Sequence, residues 1–278
     1  AAARWRLRIS AARSVRGGGV VMMGPDLKTV RTGMLAGIRQ VAQGALHIVF
    51  PPRCIACNGA VSTDFGLCGP CWRDTPFITG LACDGCGAPL PGDDTGPVLC
   101  DDCLAQDRPW GRGRAALAYR DNGRKLVLAL KHGDRLDLVR PMGAWLHRAA
   151  APLLEPGMLV APIPLHRLRL LKRRYNQSAL LSRELARLAG FDNCADLFER
   201  PRATPSQDGK TRDERFENLR GAVQVTPRRR ASVAGRHVLI VDDVMTSGAT
   251  LSAASQAALA AGAAKVSVLA LARVAKDA

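Results

Sequence analysis

Aromatic side chains are scarce in this chain: six Phe, two Tyr and four Trp, 4% of 278 residues. A core without many large rings has to be built from Leu, Val and Ala. Long apolar runs are missing too. The longest weakly polar stretch, 251–274, is interrupted by Gln256, Lys265 and Arg273 and reads as a helix followed by a strand, which excludes a membrane-spanning helix. Residues 1–19 are rich in arginine but lack the apolar segment of a secretory signal, so a cytoplasmic location is expected. Histidine is sparse, and His47, His147, His166 and His237 show no ligand or triad spacing; they are expected at the surface or on helices. Acidic charge is also in deficit. Against 40 Lys and Arg stand 24 Asp and Glu, a net charge of +16, and that excess favours polyanionic partners such as nucleic acid, a diphosphate ligand or an anionic surface. With 47% hydrophobic and 23% charged residues, the length suits one good core plus a small module.

Ordered cysteine is what the chain does have. Eight of its nine cysteines form four Cys-x2-Cys knuckles: Cys54 and Cys57, Cys68 and Cys71, Cys83 and Cys86, Cys100 and Cys103. Gaps of 10, 11 and 13 residues separate them. Tetrahedral Zn²⁺ takes four thiolates, so four knuckles imply two zinc ions. Metal is expected over disulfides because no secretory signal precedes them. Sequential pairing of the knuckles is the simplest arrangement; cross-bracing and an iron–sulfur cluster stay open. A module of roughly fifty residues with few large apolar side chains cannot fold without metal, so the zinc is read as structural. The module is acidic, carrying Asp74, Asp84, Asp93, Asp94, Asp101, Asp102 and Asp107, which places the basic surplus elsewhere. Cys194 stands alone as a buried or neutral thiol.

Composition shifts divide the rest. Residues 1–26 read as a disordered arm or a start assigned too far upstream, and 27–50 as a leading helix with Val30, Met34, Ile38, Val41 and Leu46 at helical spacing, stopped by Pro51-Pro52. The cysteine module occupies 51–108. Pro109 and Gly111–Gly113 open the last domain, 109–278. There, strands are expected at Ala115–Tyr119, Met158–Ile163, Val223–Val225, Val238–Val241 and Lys265–Ala272. Helices are expected at Leu126–Leu130, Met142–Ala150, Asn176–Leu188 with Asn176 as N-cap, and Thr250–Ala261 ending at Gly262. A long mobile loop is read over 198–219 and a basic turn at Arg228–Arg230. This alternation means a mostly parallel α/β sheet with its site at the carboxyl ends of the strands.

The stretch from His237 to Thr250, HVLIVDDVMTSGAT, carries the chemistry. A buried strand leads to Asp242 and Asp243, and then to Val244, Thr246, Ser247, Gly248, Ala249 and Thr250. Small hydroxylated residues ahead of a helix can aim N–H groups at a phosphate with the helix dipole behind them. Carboxylates beside such a loop suit sugar hydroxyls or a ligand-bound metal, so the pair suggests a phosphorylated ribose. These residues resemble the signature for 5-phosphoribosyl-1-diphosphate (PRPP) in type I phosphoribosyltransferases. The resemblance implies that the acids face the ribose, that the loop holds the 5′-phosphate and that Mg²⁺ accompanies the ligand.

A basic loop follows the strand at Met158–Ile163, with Arg167, Arg169, Lys172, Arg173 and Arg174 within eight residues. Lying between a strand end and a helix start, it can neighbour the phosphate loop and offer guanidinium forks to a diphosphate; a solvated basic face remains the alternative. Pro162-Ile-Pro-Leu-His-Arg167, Arg174-Tyr-Asn-Gln177, the Arg202, Thr204 and Gln207 set, and Arg215 with Asn218 join the signature in resembling the ComF family, as do the double zinc ribbon and Phe50-Pro-Pro-Arg-Cys-Ile-Ala-Cys57. These are competence-associated, phosphoribosyltransferase-like proteins of the ComFC type. Where relatives read Arg-Gly-Phe-Asn-Gln, this chain has Arg173-Arg174-Tyr175-Asn176-Gln177. The resemblance implies a type I phosphoribosyltransferase-like sheet behind a small zinc-ribbon module. Asp242, Asp243 and Arg202 would act at the reacting sugar, and Arg167, Arg173, Arg174, Asn176, Gln177, Thr204 and Gln207 would line the PRPP site. The segment from Arg202 to Arg215, with Arg212, would close over diphosphate. Phosphoribosyl transfer linked to DNA uptake is the expected function. A non-catalytic single-stranded DNA-binding module working with other competence proteins, or a PRPP-sensing regulator, is the alternative. Lys131-His132-Gly133-Asp134 is a further family-like turn without an evident role.

Overall fold

The computed structural model describes residues 50–93, 96–166, 170, 171, 173–201, 214 and 221–274. The arm and leading helix expected before residue 50 lie outside the described residues, as do Arg167, Arg169, Lys172, Arg202, Thr204, Gln207, Arg212, Arg215 and Asn218.

In the cysteine module, α1 (Gly69–Arg73) and α2 (Asp101–Leu104) are single turns. The larger domain then runs β1 (Arg112–Ala118), α3 (Asp121–His132), α4 (Val139–Ala150), β2 (Leu159–Pro162), α5 (Gln177–Ala189), β3 (Asp192–Asn193), β4 (Phe198–Glu199), β5 (Gln224–Val225), α6 (Arg230–Val233), β6 (His237–Met245), α7 (Ala249–Ala260) and β7 (Lys265–Arg273). Five strands make one parallel sheet in the order β1-β7-β6-β2-β3, while β4 and β5 pair antiparallel apart from it. A parallel sheet is covered on both faces, so its central strands read as continuous apolar runs. Val238–Val241 and Val266–Ala272 supply them, Ser267 being the polar exception. Leu130, Met142, Leu146, Leu181 and Leu185 of α3, α4 and α5 pack on one face, over Leu239, Val241, Leu269 and Leu271. Leu251, Ala254 and Ala258 of α7 pack on the other, over Val238, Ile240 and Val268.

The second half of the cysteine module joins that other face, burying Cys83, Cys86, Cys103 and Trp110 in the same core. Its chain also runs along the outer edge of β1. Ile78 N–H donates to Ala116 O at 3.0 Å, Ala118 N–H to Pro76 O at 2.8 Å and Gly113 N–H to Asp84 O at 2.7 Å, and Phe77 bridges Leu117 in antiparallel fashion. Asp84 accepts from Arg112 at 2.8 Å and from Arg114 at 2.5 Å; burial works against its charge, but the two guanidinium groups hold its carboxyl below the usual range.

Several boundaries differ from the sequence reading. Strand β6 does not end at the acid pair but runs on to Met245, because Val244 and Met245 keep their register with Ala272 and Arg273 of β7. Helix α4 begins at Val139, ahead of Pro141, which a first turn tolerates since its N–H has no intrahelical partner there. Segment 198–219 opens with a two-residue strand. His237 is no surface residue: it opens β6 half-buried, within 2.9 Å of both Glu155 Oε2 and Ser267 Oγ. No helix among the described residues is long and apolar enough to cross a membrane.

Candidate functional site

Cys54, Cys57, Cys68 and Cys71 converge in one cluster and Cys83, Cys86, Cys100 and Cys103 in another, the sulfurs of each within 4.8 Å of one another. The pairing is sequential, not cross-braced. Sulfur separations of 3.6 Å for Cys57–Cys68 and Cys86–Cys100 match the edge of a Zn–S tetrahedron, about 3.8 Å for bonds of about 2.3 Å. Backbone donors are already aimed at the sulfurs: Cys68 N–H to Cys54 at 3.4 Å, Gly59 N–H to Cys57 at 3.5 Å and Cys100 N–H to Cys83 at 3.2 Å. Burial opposes ionisation of Cys54, yet the N–H groups of Cys68, Cys57 and Ala56 bring it down to about 6. Burial and the negative charge of Cys86 push Cys100 up to about 11. Four crowded sulfurs cannot all ionise without a cation between them, and the donor sets fit two structural zinc ions. After each first knuckle the turn needs left-handed backbone, supplied by Asn58 (φ 64°) and Gly87 (φ 69°). At Gly87 there is a second demand, since a Cβ there would lie 2.6 Å from the Arg114 carbonyl carbon.

The other candidate site lies where β2 and β6 adjoin. From β2 the chain crosses outward to β3 through α5 on one face, and from β6 it crosses the opposite way to β7 through α7 on the other. Such a switch point leaves a crevice between the two carboxyl-end loops. One wall is the β6–α7 loop. Thr246 is exposed, Ser247 and Thr250 are half-buried, and Gly248 turns with φ 83° as the N-cap of a 12-residue helix. Among the described residues no acceptor meets the backbone N–H of Thr246, Ser247, Gly248 or Thr250, while Ala249 N–H reaches Ser247 Oγ at 3.4 Å. The loop carbonyls, by contrast, are held from inside, Ser247 O by Arg108 Nη1 at 2.8 Å and Thr246 O by Arg273 Nη1 at 2.7 Å.

The acid pair is asymmetric. Asp242 is 9% exposed and its Oδ1 accepts from Ser178 Oγ at 3.1 Å and from Asp243 N–H at 2.8 Å. Burial first, and the charge of Asp243 second, push its carboxyl up to about 7. Asp243 pairs with Lys131 Nζ at 3.2 Å. Each acid is thus engaged within the protein through one of its oxygens. Asp242 Oδ2 and Asp243 Oδ1 keep lone pairs that no described residue uses.

Asn176 and Gln177 come to the same crevice but direct their amides inward. Asn176 caps α5 through Ser178 and Ala179 N–H and donates to Ile163 O at 2.9 Å, and Gln177, 1% exposed, donates to Lys131 O at 3.4 Å. Arg173 is half-buried and Arg174 exposed. Lys131, Ser178, Arg108, Trp110 and Arg273 were not singled out by sequence as site residues. A lone Trp before a strand and an Arg closing an apolar one were the signals available.

Residues 45–104 match the double zinc ribbon domain, and residues 197–278 match the phosphoribosyl transferase domain. Competence protein F of Haemophilus influenzae is 28% identical over 227 residues, 80% of this chain and 96% of its own. DNA utilization protein YhgH of Escherichia coli K12 is 30% identical over 233 residues, 81% of this chain and 99% of its own. The chain belongs to the competence protein F family. A third member, YhgH of Salmonella typhimurium, is 31% identical over the same length. Among solved structures, the Bacillus subtilis glutamine PRPP amidotransferase with ADP and GMP aligns over 52% of this chain and 30% of its own, at 18% identity and a TM-score of 0.35. In this competence protein F family chain, the zinc ribbon and the phosphoribosyltransferase sheet meet at Arg108 and Trp110, immediately behind the β6–α7 loop.

Proposed function

We propose that the crevice between β2 and β6 binds PRPP, or a related 5′-phosphorylated ribose, together with Mg²⁺. The observation that carries this is the β6–α7 loop: N–H groups with no acceptor among the described residues, at the positive end of a helix beside Asp242 and Asp243. The 5′-phosphate takes the N–H groups of Thr246–Thr250 and the hydroxyls of Thr246, Ser247 and Thr250. Asp243 Oδ1 and Asp242 Oδ2 accept from the ribose hydroxyls, and Val244 shapes the floor between them. Bound Mg²⁺ would neutralise diphosphate charge. Arg173 and Arg174, with Arg167, Arg202, Thr204 and Gln207, are the candidates for the diphosphate side. In the transfer reaction the bond from C1 to the diphosphate oxygen breaks and its electron pair leaves with diphosphate. A nucleophile then forms the new bond at C1, and the protein's fixed dipoles stabilise the charge that develops.

Calorimetry with PRPP and Mg²⁺ tests the reading. The native chain binds, and the Asp242→Asn, Asp243→Asn double variant with both zinc ions retained does not. Equal affinity in the two proteins would end it. Diphosphate release decides whether binding leads to transfer or to sensing alone.

A place in DNA uptake is the second part of the reading, supported by the names of the relatives and by the net charge of +16. Single-stranded DNA affinity that falls steeply with salt and survives the double Asn variant would favour a DNA-binding module over an enzyme.

A further inference from the structure

We propose that the second cysteine cluster, once it holds its metal, sets the shape of the phosphate loop through Arg108, Trp110 and Arg273. This rests on the ligand reading of that loop, but its structural half can be judged without any ligand. A Zn²⁺ ion held by four thiolates carries a net double negative charge, and in a buried site that charge needs nearby cations. Cys83 and Cys86 are fully buried. Arg108 reaches the cluster through the Trp110 ring, and Arg273 lies at the end of β7 beside the same loop. Arg273 is itself 4% exposed, and the Nε–H groups of both arginines are buried without an acceptor among the described residues.

The same two guanidinium groups grip the loop from behind. Arg108 donates to Ser247 O, and Arg273 to Thr246 O and Val274 O. Trp110 completes the link. Its Nε1–H donates to Gly85 O at 2.6 Å, inside the Cys83–Cys86 knuckle, and Arg108 lies over its ring at 5.4 Å. A Cβ on Gly248 would lie 3.1 Å from Arg108 Nη1 and 3.3 Å from the Trp110 ring. Knuckle, ring, arginines and loop therefore form one packed column. With its carbonyls fixed inward, the loop leaves its N–H groups for a phosphate. The first cluster has a different outlook: the Cys71 carbonyl accepts from Thr75 and Asn122, away from the loop. Arg108 and Arg273 are thus positioning residues, and the second metal site is their anchor.

Backbone ¹⁵N relaxation on zinc-loaded Arg108→Met gives the decisive reading. Order parameters of the Thr246–Thr250 amides fall from rigid values of about 0.85 to below about 0.6 while the β6 and β7 interior keeps its own, and PRPP–Mg affinity falls about tenfold, the loss expected for one charge-assisted hydrogen bond. Arg108→Lys, which keeps the charge but not the planar fork, falls between the two. Chelating the zinc from the native chain reproduces the loosening. Unchanged loop order parameters in Arg108→Met overturn the proposal, whatever its zinc content. If Arg108→Met unfolds, Arg108→Lys replaces it under the same criterion. If the native chain takes up no PRPP, the ligand reading falls, and the loop order parameters still decide the link.

Discussion

Arg174 holds φ at 64°, in the left-handed region that a side chain enters at a cost of about 1 kcal/mol or more. The Arg174 side chain is 83% exposed with an ion-pair partner only at 4.0 Å, so little offsets that cost. Arg174→Gly should raise the free energy of unfolding by roughly 0.5–1 kcal/mol, read as a higher urea midpoint with unchanged slope. Asp242 makes a prediction about pH. Its folded carboxyl titrates near 7, above the ordinary value, so the native state binds that proton more tightly than the unfolded chain. Stability from this group is fully present below about pH 4 and is lost as pH rises towards 7. Asp242→Asn removes the loss: near pH 4 the two proteins should melt together, and at pH 8 the variant should be the more stable by up to a few kcal/mol. A native chain whose midpoint relative to the variant does not fall between pH 5 and 8 would contradict this assignment.

Glycine at the second knuckle joins two elements. Gly87→Ala would place a Cβ against the backbone of β1 and force left-handed φ on alanine, so we expect a loss of about 2 kcal/mol or more and weaker retention of the second zinc by metal analysis. At this scale the sequence was legible where one local pattern decides the structure. Cys-x2-Cys spacing alone gave the four knuckles, because two ligands on one knuckle are fixed by short-range geometry, while the pairing of knuckles into clusters needed the fold. Asn176 was readable as a cap because a short side chain ahead of apolar periodicity has few other uses. The end of β6 was not readable, since two adjacent acids look like a strand terminus until β7 is present to pair beyond them. Nor was the inward turn of Asp242, which depends on Ser178, 64 positions away. Lys131 was seen only as part of an unexplained turn, and its meeting with Asp243 exists only once α3 and β6 are packed together. Arg108 fell at an expected boundary. Its place behind the β6–α7 loop comes from tertiary packing of the ribbon, which no window of sequence displays.

Metal and charge act on the molecule as a whole. Two zinc ions per chain are expected by metal analysis, and their removal with a chelator should lower the melting temperature and release the 52–104 region to protease, since that region has little apolar core of its own. Protease resistance unchanged by chelation would argue against structural zinc. The strip of chain at Pro76–Ile78 gives this dependence a sharper form. It occupies the rim of β1, a row of amides and carbonyls that would otherwise be open to any passing strand. Being upstream, the strip leaves the ribosome before the rim it will cover, so a metal-loaded nascent chain has its guard waiting when the sheet assembles. Under zinc starvation the rim would emerge raw and seek its like on neighbouring molecules, and the shortage would show as inclusion bodies before any ligand was met.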